Sequence, residues 1–160
     1  MRSFQVFAAM SSDDAIRMLR TLADKMPAMF DQAVAAASAA MKTRPVYLKR
    51  QPFEKRAVAV RRALSRFSAN VVADELLAVY FLECRRELLT EWLDLVGLEH
   101  EDGTLADDEP ASPADDALAK AIAAYRAKDD DADREILLHA FAAQQAIDWP
   151  VLDAAFDGGG

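Results

Sequence analysis

Hydrophobic residues recur at helical spacing along most of this chain, and the longest such stretch runs from Asn70 to Val96. At about 100° per residue, its large apolar side chains fall on one broad face. An arc this wide exceeds what a surface helix needs, so the pattern predicts one long central helix with neighbours on two sides. Gly97 is expected to end it, because glycine takes the left-handed conformation without a Cβ clash.

Capping signals and prolines place further helices around that stretch. Ser11 or Ser12 followed by two aspartates starts one helix, Pro27 starts another, and Ser112-Pro113 before two more aspartates starts a third. Residues 4–10 are ambiguous between a short strand and a helical turn. The helices predicted besides the central one cover residues 12–26, 27–42, 53–67, 113–128, 132–146 and 150–156.

Length and composition agree with an all-α fold. A chain of 160 residues suits one domain, and abundant alanine with only 5 glycines and 6 prolines favours helix. The sequence predicts a single helical domain over residues 1–156, a bundle of six or seven helices around the central helix at about 70–96. Residues 157–160 are expected to form a flexible tail.

The charge is unevenly distributed. Between Lys42 and Arg66 the chain carries nine cations and one carboxylate, Glu54, a net charge of +8. The formal net charge of the chain is −8, so the remainder carries −16. The overall charge disfavours a general attraction to nucleic acid or anionic membranes, but a local patch of this size can bind anions.

This basic segment supplies the candidate partner-binding residues. Three interpretations stay open: the cations face this protein's own acids or solvent, they bind a protein partner with an acidic surface, or they bind nucleic acid. The acids proposed as internal partners are a stripe on the central helix and the loop at 99–116. The candidate residues are Lys49, Arg50, Lys55, Arg61, Arg62 and Arg66.

Candidate chemistry elsewhere is weak. A di-metal site in a helical bundle needs Glu-x-x-His motifs, and neither His100 nor His139 lies three residues after a glutamate. Glu135 and His139 at i, i+4 form a lone pair, and His100 beside acids is a candidate general base without a nucleophile near it. The acidic stripe on the central helix consists of Glu83, Glu87, Glu91 and Asp94.

Two further features have structural explanations. The acidic run from Asp129 to Glu135 lacks the glycine and glutamate of a calcium-binding loop, so helix capping is expected to account for it. Cys84, the one cysteine, cannot form an internal disulfide and lies on an apolar helix face, which predicts a buried thiol. The N-terminus lacks a signal-peptide layout and no apolar run is long enough to cross a membrane, so a cytoplasmic location is expected.

The stretch ELLTEWLDLVGLEHEDG with the loop and helices after it resembles a pattern in bacterial helical proteins over residues 70–156, which implies no activity. No catalytic, cofactor-binding or metal-binding residue is assigned. The leading hypothesis is a non-enzymatic protein-interaction or adaptor module that uses the basic face to bind an acidic protein partner or to self-associate. The alternatives are a nucleic-acid-binding regulator using the same face and a metal-dependent helical-bundle enzyme.

Overall fold

A computed structural model of the chain describes residues 1–157, and helices dominate it. These residues form ten α-helices, a 3-10 turn at Phe67–Ala69, a π-helical turn at Tyr80–Cys84 and a two-stranded hairpin. The all-α fold class is therefore confirmed, with more helices than the six or seven predicted. No helix in residues 1–157 is long and apolar enough to cross a membrane.

The α-helices and strands have the following bounds. The helices are α1 (Ser3–Ala9), α2 (Ser12–Lys25), α3 (Pro27–Ala40), α4 (Pro45–Lys49), α5 (Phe53–Leu64), α6 (Asn70–Val79), α7 (Arg86–Leu95), α8 (Asp115–Ala127), α9 (Asp133–Ala142) and α10 (Pro150–Asp157). The strands are β1 (His100–Glu101) and β2 (Thr104–Leu105).

The chain divides into two compact units. Ser3–Tyr80 form the N-terminal unit, and Phe81–Gly160 together with Met1–Arg2 form the C-terminal unit. The single domain expected over residues 1–156 stays a prediction. Of the tail expected at 157–160, Asp157 is the last residue of α10 and the other three lie outside the described residues.

The N-terminal unit is built around α2, α3 and α5, which contact one another. Ser11 caps α2 by accepting a hydrogen bond from the Asp14 N–H at 3.1 Å, and Pro27 begins α3. The two helices pack together. Helix α1 packs on α5 and α6, and Ser3 Oγ donates to Asp74 Oδ1 at 2.8 Å. The fully buried side chains include Met18, Leu19, Leu22, Val60, Leu64, Leu76 and Leu77.

Helix α5 is shorter than predicted, and Phe67 is not part of its buried face. Ser65 follows the last helical residue, and its hydroxyl donates to the Arg62 carbonyl at 2.7 Å, which satisfies one of the carbonyls left open at a helix end. Phe67 lies in the 3-10 turn and is 65% exposed, with one ring edge against Phe4 at a centroid distance of 5.7 Å. The chain leaves the helix before Phe67, so the helical spacing of α5 does not determine which way Phe67 faces.

The helix predicted over 70–96 is interrupted near its middle, so the prediction of one continuous helix is wrong. Helix α6 ends at Val79, the π-helical turn follows, and Arg85 has φ −135° and ψ 44°, outside the helical region. Helix α7 then begins at Arg86. The apolar spacing does not reveal the break, because Phe81, Cys84 and Leu88 are buried across it.

The core of the C-terminal unit is aromatic. Trp92 on α7 is fully buried and makes edge contacts with Tyr125 at 5.4 Å and Phe141 at 5.9 Å between ring centroids. Phe141 in turn contacts Trp149 at 5.2 Å. The Trp149 Nε1–H donates to the Pro110 carbonyl at 3.1 Å, which fixes the loop before α8 to this core.

The strands β1 and β2 pair antiparallel, with His100 opposite Leu105 and Glu101 opposite Thr104. Asp102 and Gly103 connect them with φ 50° and 96°, and positive φ at both central residues is typical of the tightest hairpin turns. Asp-Gly is a dipeptide that favours this turn.

Gly103 and Gly97 form a matched pair for testing the packing of this hairpin. Both have positive φ, so alanine strains the backbone at either position. A Cβ on Gly103 would also lie 2.9 Å from Leu89 Cδ2, whereas nothing lies within 4 Å of one on Gly97. We expect Gly103→Ala to lower the free energy of unfolding by about 1–3 kcal/mol more than Gly97→Ala in urea titrations. Equal losses would contradict the close contact with Leu89.

Candidate interaction surface

The basic segment from Lys42 to Arg66 lies in the N-terminal unit, on α4, α5 and the chain around them. None of its nine cations forms an ion pair with a carboxylate of residues 1–157. Its one acid, Glu54, pairs instead with Arg20 of α2, at 2.9 Å between Nη2 and Oε1. Ion pairs within the described chain therefore do not neutralise this segment.

Arg61 and Arg66, two of the candidate residues, are engaged in holding helix ends. Arg61 Nε donates to the Met10 carbonyl at 2.7 Å and its Nη2 to the Ala8 carbonyl at 3.3 Å, where α1 ends. Arg66 Nη1 donates to the Ala40 carbonyl at 3.4 Å, on the last residue of α3. A cation at a helix C-terminus also meets the negative end of the macrodipole. Both residues therefore have a role within the N-terminal unit.

Arg56 is held by aromatic rings. Phe30 and Phe53 stack at a centroid distance of 5.5 Å, and the Arg56 guanidinium lies 5.9 Å and 5.4 Å from their ring centroids. Arg20 lies over the Phe53 ring at 4.6 Å. This arrangement joins α2, α3 and α5, and it removes Arg56 from the residues available to a partner.

Lys49, Arg50, Lys55 and Arg62 are exposed and form no hydrogen bond or ion pair through their side chains within residues 1–157. We call these four residues the cationic face. Lys55 and Arg62 lie one above the other on α5 and border an open depression of about 300 Å³. Its lining also includes Val58 and Ala59, so the surface between the two cations is apolar.

Beside Lys49 and Arg50, helix α4 exposes two apolar side chains. Val46 is 55% and Tyr47 56% exposed, while Leu48 is buried. We call Val46 and Tyr47 the α4 knob. Tyrosine and arginine, here Tyr47 and Arg50, are enriched at protein interfaces.

The acidic stripe predicted on the central helix is paired with cations. Arg85 Nε lies 2.9 Å from Glu87 Oε1, and Glu91 is bound by Arg134 and Lys128. The other two acids, Glu83 and Asp94, face Arg86 at 3.9 Å and His100 at 2.7 Å. Within residues 1–157 no three His, Cys, Asp or Glu side chains are grouped to hold a metal ion.

The two histidines are held in structural contacts. His100 accepts the Gly103 N–H at Nδ1 (3.2 Å), which places its proton on Nε2, 2.7 Å from Asp94 Oδ1. Both ring nitrogens are therefore occupied, whereas a general base needs one open to substrate. His139 stacks on Phe156 at 4.5 Å, and its neighbour Glu135 binds Arg126, so this pair does not converge on a shared ion.

The acidic run at 129–135 does not supply the helix cap that was expected of it, because the N-cap residue of α9 is Ala132 and no side chain caps it. Its backbone is turned by two aspartate hydrogen bonds, from the Asp131 N–H to Asp129 Oδ1 and from the Asp133 N–H to Asp131 Oδ1. Arg85 Nη2 then lies 2.6 Å from Asp131 Oδ2, and its Nη1 lies 2.5 Å from Asp133 Oδ2. The helical run therefore breaks at the residue whose side chain binds this turn.

Arg134 forms the second half of this ion cluster and is only 4% exposed. Its Nε donates to Asp129 Oδ1 at 2.8 Å and its Nη2 to Glu91 Oε2 at 3.1 Å, while the guanidinium lies 4.7 Å over the Tyr125 ring. The sequence offered no signal for the pairs of Arg85 with Asp131 and of Arg134 with Glu91, because residues over 40 positions apart meet only in the folded chain.

The cluster shifts the pKa values of its carboxyl groups. The hydrogen bond from Arg134 lowers the pKa of Asp129 to about 2, and the hydrogen bond from Arg85 holds the pKa of Asp131 below its usual range. Burial raises the pKa of Glu91, but hydrogen bonds from Lys128 and Arg134 outweigh it and leave that pKa lowered. All three groups therefore favour the charged form in the folded state.

The lowered pKa values predict acid sensitivity. A carboxyl whose pKa is lower in the folded state contributes its full stabilisation above its unfolded-state pKa, and loses it as the pH falls through the folded-state pKa. We expect Asp131→Asn to lower the free energy of unfolding by about 1–3 kcal/mol at pH 7, and the difference from wild type to shrink towards pH 2–3. Urea unfolding across this range measures it. Asp130→Asn, at an exposed position without a side-chain partner in residues 1–157, should follow wild type throughout.

Arg61 and Arg62 are neighbours with different roles, and methionine substitution should separate them. Arg61→Met removes the hydrogen bonds to the end of α1 and should lower the free energy of unfolding by about 1–3 kcal/mol. Arg62→Met, on the exposed face, should change it by less than about 0.5 kcal/mol. Thermal or urea unfolding of both variants checks this, and equal effects would contradict the role of Arg61.

Comparison with known proteins supplies no relative for this surface. No protein-family model, no curated protein and no solved structure matches the chain. Its function therefore has to follow from its own residues and their geometry.

Proposed function

We propose that this protein is a non-enzymatic interaction module that binds an acidic protein surface through the cationic face. The observation that carries the proposal is that Lys49, Arg50, Lys55 and Arg62 are exposed and have no partner in the described chain. In the C-terminal unit, by contrast, every arginine from Arg85 onward is bound by a carboxylate. Unpaired cations are the ones free to exchange water for a partner's carboxylates.

The charge of the two units supports this proposal. The N-terminal unit holds 12 of the lysines and arginines and 7 of the aspartates and glutamates, a net charge of +5. The C-terminal unit holds 7 and 20, a net charge of −13. A partner that approaches the cationic face meets a positive unit although the whole chain is acidic, and such local fields steer association.

The apolar surface among these cations favours a protein partner. Val58 and Ala59 lie in the depression between Lys55 and Arg62, and the α4 knob stands beside the other two cations. Apolar contact supplies much of the binding free energy at protein interfaces, with charged groups around it giving orientation and rate. The proposal includes the cytoplasmic location expected from the sequence.

A nucleic-acid-binding regulator is the second candidate, and exposed Tyr47 beside Lys49 and Arg50 favours it. A base can stack on an exposed tyrosine while neighbouring cations bind phosphates. Phosphate contacts release counterions, so binding would weaken steeply as salt rises. A protein partner held in part by apolar contact should show a shallower salt dependence.

Charge reversal on α5 tests the proposed function. We expect Lys55→Glu/Arg62→Glu to reduce recovery of the partner at least tenfold when the tagged protein is purified from its native cells, because two attractive contacts become repulsive. Lys25→Glu/Lys120→Glu changes the net charge equally at exposed positions elsewhere and should leave recovery unchanged. Circular dichroism should show the same helicity for both variants.

Nuclease treatment separates the two candidates in the same experiment. A protein partner that stays bound after nuclease and is lost with Lys55→Glu/Arg62→Glu supports the interaction module. Partners or nucleic acid that are lost on nuclease treatment support the regulator. Arg66 is left unchanged in these variants, because its hydrogen bond to α3 would confound loss of binding with loss of structure.

A further inference from the structure

The C-terminal unit carries a surface that complements the cationic face. Between Arg86 and Lys120 the chain has eleven carboxylates and neither lysine nor arginine. Three of them, on α7, are bound by Arg85, Arg134, Lys128 or His100. The other eight are exposed and bind no cation within residues 1–157, and we call them the acidic segment: Glu99, Glu101, Asp102, Asp107, Asp108, Glu109, Asp115 and Asp116.

Part of the acidic segment surrounds an open depression of about 630 Å³. Carboxylates at Glu99, Asp107 and Asp108 border it, and Leu98 and Leu105 contribute apolar side chains to its lining. Pro110 is part of the lining of this depression, and its carbonyl accepts a hydrogen bond from Trp149. The depression is therefore attached to the aromatic core of the C-terminal unit.

The depression and the α4 knob are complementary in charge. The knob is an exposed tyrosine and valine with Lys49 and Arg50 beside it, and the depression has a mixed lining in which carboxylates accompany Leu98 and Leu105. The cations would meet the carboxylates while the knob contacts the two leucines, and such charge complementarity favours association.

We propose that the α4 knob and its neighbours Lys49 and Arg50 dock into the acidic segment of a second copy of this chain. This inference rests on the proposed function, since it names the acidic partner of the cationic face as the chain itself. One copy uses its N-terminal unit and the other its C-terminal unit. The contact is therefore heterologous, and the docked pair as a whole still presents one free surface of each kind.

Such a contact has two physical consequences. A heterologous contact that does not close into a ring continues into open chains, so the average mass should rise with protein concentration. Copies with a net charge of −8 repel one another at a distance, and the attraction acts only where the opposite patches approach. Salt screens exposed charge pairs, so the assemblies should dissociate as the ionic strength rises.

Two charge-reversed variants, each blocked on one surface, test this docking. Lys49→Glu/Arg50→Glu reverses the charge of the cationic docking surface, and Glu99→Lys/Asp108→Lys reverses the charge of the acidic docking surface. All four positions are exposed. By sedimentation velocity at low salt, wild type should self-associate and each variant alone should stay monomeric. Mixed together, the variants should form a one-to-one complex that grows no further, because only one complementary pair of surfaces remains.

The sedimentation and co-purification experiments distinguish failure of self-docking from failure of the proposed function. Wild type that stays monomeric at low salt overturns the inference, as does self-association retained by either variant. Lys25→Glu/Lys120→Glu, with the same net charge as Lys49→Glu/Arg50→Glu, should associate like wild type. If wild type is monomeric but Lys55→Glu/Arg62→Glu still loses a nuclease-resistant partner from cells, the proposed function stands and self-docking fails.

Discussion

A buried or half-buried arginine needs carboxylate partners, because a guanidinium removed from water without partners costs several kcal/mol. This requirement shapes the C-terminal unit. Arg85 leaves helical geometry at the point where its side chain binds Asp131 and Asp133, and α7 starts at the next residue. Arg134, on the helix that follows this turn, binds Asp129 and Glu91 and covers Tyr125. The cluster thus sets both where a helix breaks and how the next loop is turned.

Local signals predicted two helix starts correctly and a third wrongly. Ser11 caps α2 and Pro27 opens α3 because capping and proline geometry depend on a few neighbouring residues. Ser112-Pro113 does not start α8, which begins at Asp115 after the N-cap residue Ala114. The break at Arg85 depends on aspartates more than 40 residues away, and no local pattern in the chain contains that information. The helical spacing of apolar residues continues across the break because the residues on both sides of it are buried.

The candidate surface likewise has features that the sequence predicts and features that depend on tertiary packing. Composition located the basic segment and its excess of charge, and the structure places all of it in the N-terminal unit. Composition could not tell that Arg61 binds the end of α1 while Arg62, one residue later, faces solvent. Successive residues on a helix point about 100° apart, and what each meets depends on which neighbour packs there. Helix α4 and the knob it carries were also missed, since this segment lies among prolines between the helices predicted at 27–42 and 53–67.

The net charge of −8 is the sum of two units of opposite sign, +5 and −13. Exposed charges interact over about 8 Å at physiological salt, so a partner responds to the patch it approaches and not to the total. In the C-terminal unit each arginine from Arg85 onward pairs with a carboxylate, and the eight carboxylates of the acidic segment are left without a cation in the described chain. In the N-terminal unit the cations are in surplus, and those that hold no helix end or ring include the four residues of the cationic face on or beside α4 and α5. Because neither surplus is neutralised by ion pairs in the described chain, each surface keeps the charge that an oppositely charged partner requires.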